Sequence, residues 1–203
     1  MRLEAKNVSF RYGQGPWILK NIDFAMEDNE RVGLIGPSGF GKSTLSKLLA
    51  GYEQPISGQI ILDGNPLPRK GYCPVQLIYQ HPEKAVNPRW KLKDTLYEGW
   101  EPDEQLLAAM GIEKDWLDRW PNELSGGELQ RFAVARSLGE RTRFILADEM
   151  STMLDVITQA QIWNLVMDVV QVRNIGLLVV THNRPLAERL CTRIVDLEAD
   201  SYI

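Results

Sequence analysis

The sequence predicts an α/β fold in which a buried parallel sheet is flanked by helices. Short apolar runs alternate with helical stretches along the chain, and a glycine-rich loop joins one such run to a helix. The composition fits: 203 residues, 44% hydrophobic and 25% charged, sit in the ordinary globular range. That length corresponds to one domain, with room for embedded lobes, and can bury a core without metal or disulfide staples.

The elements follow in order. Residues 3–12 read as a strand, and 13–16 as a turn rich in glycine and proline. Residues 17–26 alternate apolar and polar, as a half-buried antiparallel partner would. The apolar run 31–35 enters the glycine-rich loop, and 42–50 is helical with Gly51 suited to the position just past its end. Residues 58–62 and 77–79 are further strand-like runs. From 81 to 123 several prolines and helix-like stretches such as 103–110 indicate a separate helical lobe. A helix at 127–138, a strand at 144–147, a helix at 158–170 and strands at 177–180 and 193–197 complete the chain.

Charge and cysteine usage exclude several classes. With 23 Lys+Arg against 27 Asp+Glu the net charge is -4, which disfavours a nucleic-acid sleeve. Cys73 and Cys191 lack any CxxC or ligand spacing and read as free thiols of a reducing compartment. The first residues form no apolar signal region, and no apolar run approaches the roughly 20 residues of a membrane span. A cytosolic chain is expected, with any spanning done by another protein.

Gly36-Pro37-Ser38-Gly39-Phe40-Gly41-Lys42-Ser43 fits G-x-x-x-x-G-K-[ST] in the strand–loop–helix context that pattern requires. Its glycines let successive N–H groups curve around phosphate oxygens, and the helix that follows adds its positive end. Lys42 can neutralise β/γ-phosphate charge, the Ser43 hydroxyl can ligate Mg²⁺ and Thr44 can bond phosphate. This loop predicts nucleoside triphosphate binding.

Leu124-Ser125-Gly126-Gly127-Glu128-Leu129-Gln130-Arg131 is a helix start in which Ser125 and Glu128 form a capping box. Together with the phosphate loop, the octet resembles the signature sequence of the ATP-binding cassette (ABC) family. Phe144-Ile145-Leu146-Ala147-Asp148-Glu149 resembles that family's second nucleotide motif, Tyr79-Gln80 its Q-loop, Leu154-Asp155 its D-loop and Thr181-His182 its switch histidine. Tyr12 stands where the family places an aromatic under adenine.

The resemblance implies an ABC ATPase fold: a P-loop NTPase parallel-sheet core with an antiparallel β subdomain and an inserted helical subdomain. Residues 1–203 would be a single cassette, with 1–30 the antiparallel lobe, 31–80 and 124–203 the core, and 81–123 the helical lobe. It also implies that Asp148, Ser43 and Gln80 hold Mg²⁺, that Glu149 is the general base and that His182 contacts the γ-phosphate. Ser125, Gly126 and Gly127 would close over ATP held by a second ATPase subunit, identical or different. Gln80-His81-Pro82, Asn87-Pro88-Arg89, Leu154-Asp155-Val156 and Thr158-Gln159-Ala160-Gln161 resemble the ATPases of dipeptide, oligopeptide and nickel importers. Permease subunits would then hold the chain at the inner face of the membrane.

Some features depart from the pattern or leave alternatives open. Met150 replaces the usual proline after the Asp-Glu pair, and Met153 enlarges the D-loop where alanine is commoner. The C-terminal extension frequent in this group is expected to be absent. Trp116 and Trp120 are i, i+4 neighbours if helical, and His81 reads as an ordinary loop residue. A weakly hydrolysing regulatory partner in a heterodimeric pair is the second reading. A non-transport cassette in DNA repair or translation is the third, disfavoured by the short interval between phosphate loop and signature.

Overall fold

A computed structural model describes residues 1–197. The chain divides into two compact units: one holds Met1–Leu77, Arg143–Asp148 and the segment from Asn174, the other Ile78–Thr142 and Glu149–Arg173.

The first unit contains two sheets. Strands β1 (Arg2–Phe10), β2 (Leu19–Glu27), β4 (Ser57–Leu62) and β5 (Asn65–Pro66) form an antiparallel sheet in the order β2-β1-β4-β5. Its register sets Leu3 opposite both Met26 and Leu62, so the apolar alternation of each strand lands on one buried face. Pairing is irregular between Lys6 and Ser9, where Gly58 takes φ 79 and a Cβ would lie 2.2 Å from the Asn7 carbonyl oxygen. Only glycine fits so close a backbone approach.

The second sheet is parallel, in the order β6 (Val75–Ile78), β7 (Phe144–Asp148), β8 (Gly176–Val180), β3 (Arg31–Ile35), β9 (Arg193–Asp196). All residues of β7 and β8 are buried, which is why both read as unbroken apolar runs. Helix α1 (Lys42–Leu49) follows β3 and ends as expected: Gly51 takes φ 76 and donates to Leu48 O at 3.0 Å, while Tyr52 donates to Lys47 O at 2.9 Å. Helix α6 (Arg184–Leu190), which the apolar pattern had not suggested, joins β8 to β9 and is capped by Asn183, whose side chain accepts from Leu186 N.

The second unit is helical: α2 (Leu92–Tyr97), α3 (Glu104–Ala109), α4 (Gly126–Ser137) and α5 (Val156–Arg173), with 3₁₀ turns at Pro82–Lys84, Lys114–Asp118 and Pro121–Glu123. Trp116 and Trp120 do not share a helix. The run Lys114–Asp118 ends at Arg119, already extended at φ -84, ψ 163, and Trp120 before Pro121 is extended as well at φ -90, ψ 155. Trp116 is buried, whereas Trp120 is 40% exposed. Helix α5 starts two residues earlier than its apolar pattern indicated, because Asp155 accepts from the N–H groups of Ile157 and Thr158. The Thr158 hydroxyl and those amides hold the Asp155 carboxyl below its ordinary range.

Candidate functional site

The phosphate-loop residues belong to the first unit. Gly36, Gly39 and Gly41 adopt φ 139, 88 and 86, so the loop from β3 to α1 uses its glycines as the motif requires. At Gly41 a Cβ would meet Leu19 Cδ2 at 2.7 Å and Ile18 Cγ2 at 3.1 Å, so β2 packs directly beneath the loop. Helix α1 has no side-chain cap, which leaves its first N–H groups to the loop concavity. Lys42 is 7% exposed, and its Nζ donates to Gly36 O at 2.7 Å and Pro37 O at 2.8 Å. No carboxylate pairs with it among the described residues. A buried ammonium held by carbonyl oxygens suits an anionic ligand, since unbalanced buried charge is costly.

Ser43 follows on α1, and its Oγ donates to Asp148 Oδ1 at 3.0 Å. Asp148 closes β7 and is buried. A hydroxyl and a carboxylate side by side form a hard-oxygen donor pair of the kind Mg²⁺ prefers. Among the described residues no three His, Cys, Asp or Glu side chains cluster to hold a metal ion. Thr44 is buried beside Ser43. Tyr12 is 48% exposed, with Phe10 meeting it edge-on at 4.9 Å between centroids. Phe40 is also exposed and borders a cavity of about 320 Å³ with Ile18, Lys20 and Ile22. His182 is exposed immediately after Thr181, whose hydroxyl accepts from Asn183 N at 3.0 Å and shapes the turn into α6.

The second unit holds the other predicted residues in two groups. Gln80 Nε2 donates to Glu149 Oε2 at 3.0 Å, and Glu149 stands at φ 48, a left-handed conformation costly for a side chain of its size. Ser125 caps α4: its Oγ accepts from Glu128 N at 3.3 Å, while Glu128 Oε2 accepts from Ser125 N at 2.7 Å. These bonds hold the Glu128 carboxyl below its ordinary value. Gly126 is exposed at the helix start, and Met153 Sδ lies 3.3 Å from where its Cβ would be. His81 pairs with Glu83 at 3.4 Å.

Several supporting residues carried no readable signal. Gln130 donates to Tyr79 O at 3.1 Å; Arg131 donates to Met110 O at 2.6 Å and to Thr158 Oγ1 at 3.2 Å. Ser151 Oγ accepts from Gln159 and Trp163. For Gln130 and Arg131 the only hint lay in their place within the signature octet.

The fold and these groups define an ATP-binding cassette, an α/β ATPase built on a phosphate loop. Comparison with known proteins agrees. The family described as ABC transporter matches residues 19–152, and the chain belongs to that family. Among curated proteins it is 34% identical over 210 residues to the nickel import system ATP-binding protein NikE of Staphylococcus aureus strains N315 and USA300, covering 97% of this chain and 86% of each relative. Among solved structures it resembles the ATP-binding cassette MJ0796 in a dimeric post-hydrolysis state bound to ADP and Pi, with TM-score 0.80 and 24% identity over 96% of this chain and 93% of that one. A second dimeric structure of MJ0796, a bacterial ABC transporter cassette, gives TM-score 0.79. The chain is therefore an ATP-binding ATPase with the ABC fold. No helix among the described residues is long and apolar enough to cross a membrane.

Proposed function

We propose that the chain is the ATP-hydrolysing subunit that powers a membrane importer of the peptide/nickel type. The observation that carries this reading is the 34% identity to nickel import ATP-binding proteins across 97% of the chain. It is supported by the motif segments around Gln80, Asn87 and Asp155 that resemble the same group. Permease subunits hold the protein at the inner face of the membrane, and a second cassette, identical or different, completes each ATP site.

Each residue then has a role. Tyr12 stacks on adenine, and residues 36–44 wrap the phosphates, with Lys42 turning its ammonium from the loop carbonyls to β/γ-phosphate oxygens. Ser43 and Asp148 would hold Mg²⁺, which would neutralise phosphate charge when bound. Glu149 orients the attacking water and takes its proton, and Gln80 fixes the carboxylate's rotamer while it does so. His182 donates to γ-phosphate oxygen as charge develops there. Ser125, Gly126 and Gly127 present the uncovered start of α4 to ATP held by the partner cassette.

Two measurements test the reading. Glu149→Gln abolishes phosphate release and accumulates an ATP-dependent dimer on size exclusion, with this chain alone or with its partner cassette. The membrane proteins that co-purify, followed by stimulation of ATPase activity with nickel chelates against dipeptides, identify the solute. Full activity of Glu149→Gln, or co-purification of an exporter, would overturn it.

A further inference from the structure

Gln130 is a fully buried carboxamide on α4, little more than one helical turn past Ser125. Its Nε2 donates to the Tyr79 carbonyl at 3.1 Å, while its Oε1 is buried and accepts nothing among the described residues. The orientation is forced, because reversing the amide would set two acceptors against each other at that distance. A leucine would fill nearly the same volume and leave no unsatisfied oxygen, so packing alone does not call for an amide. Tyr79 precedes Gln80, whose own amide donates to Glu149 Oε2 at 3.0 Å. A continuous line of contacts thus runs inside the second unit, from the helix that begins with the signature glycines to the Glu149 carboxylate.

We infer that Gln130 is a positioning residue for hydrolysis. It tethers the Q-loop backbone to α4, so that a shift of α4 when its N-terminus meets nucleotide is passed to Gln80 and then to Glu149. The idea rests on the reading of Glu149 as the base. The unsatisfied Oε1 leaves the amide less firmly held than a fully bonded one, which suits a tether that must move.

The test uses the full chain carrying Gln130→Met, which keeps length and apolar bulk but removes donor and acceptor. Expected are greater deuterium uptake by peptides covering residues 76–84, a Tm no lower than wild type, and a kcat about 10-fold lower with KM for ATP within about twofold. In a Gln80→Ala background the same substitution has no further effect on kcat, since both act through one carboxylate. Unchanged uptake, or kcat losses that add in the double variant, overturn the proposal. If Gln130→Met does not fold, Gln130→Leu carries the same measurements. The exchange result judges the tether independently of Glu149, whose role falls separately if Glu149→Gln still hydrolyses ATP.

Discussion

Gln80 donates its side-chain amide to the carboxylate of Glu149 across 3.0 Å, although the two lie 69 positions apart. The backbone at Glu149 is held in a left-handed conformation, and its carbonyl accepts from both the amide and the hydroxyl of Thr152. A side chain fixed at both ends of its residue suits a role that depends on aim. Gln80→Ala should therefore leave ATP affinity nearly intact and lower kcat by about 10- to 100-fold, since misplacement of an ångström costs that much. Nucleotide titration beside steady-state phosphate release would show the split.

Gly33 sits mid-strand in β3, where a Cβ would lie 2.7 Å from Ile194 Cδ1, 3.1 Å from Ala187 Cβ and 3.4 Å from Cys191 Sγ. Ile194 can rotate away, but the Ala187 methyl has no such freedom. Gly33→Ala should destabilise the protein by about 1–3 kcal/mol through overpacking. Urea unfolding with an unchanged m-value would confirm it; a stability equal to wild type would contradict it.

Arg131 bridges the end of α3 and the start of α5 through Met110 O and Thr158 Oγ1. Arg131→Ala should cost about 1–3 kcal/mol, because both acceptors lose a charged donor. Arg131→Lys should recover little, as one ammonium cannot reproduce the planar fork. Thermal unfolding of the two variants provides the comparison.

The capping box makes stability pH-dependent. The Glu128 carboxyl lies below its ordinary value of 4.5, chiefly through the Ser125 amide and hydroxyl. Its contribution is present above that value and is lost as pH falls through the depressed folded-state pKa. Glu128 is partly exposed, so the gain over Glu128→Gln at pH 7 should be modest, about 0.5 kcal/mol. The difference should vanish in strong acid, and a Tm difference unchanged from pH 7 to pH 3 would refute the assignment.

Burial pushes the Cys191 thiol up to about 12 and also raises that of Cys73. At pH 8 neither should present appreciable thiolate, and Cys191 least of all. A disulfide reagent should modify Cys191 slowly in the folded protein and rapidly in urea. Fast labelling in the native state would show that its environment opens.

What the sequence made legible was what local chemistry determines. The phosphate loop, the capping box at Ser125 and the glycine ending α1 are each written within a few neighbouring residues, so pattern and structure coincide. The link from Ser43 to Asp148 was expected only from family resemblance, because a spacing of 105 positions has no local signature. Gln130 and Arg131 went unremarked since their partners are brought to them by tertiary packing. The i, i+4 relation of Trp116 and Trp120 was conditional on a helix, and tertiary structure decides against one: the run ends at Asp118, with Arg119 and Trp120 both extended.

The turn after α1 is closed by main-chain bonds from Gly51 and Tyr52, so the side chain of Gln54, exposed beside a cavity of about 650 Å³, plays no part in holding it. That makes position 54 a mounting point for a spectroscopic label. An eight-residue helix is a strut of about 12 Å, and its opposite end begins at Lys42. A dye there would lie beyond the far end of that helix, in the coil after Gly51, and so would leave the loop around Lys42 untouched.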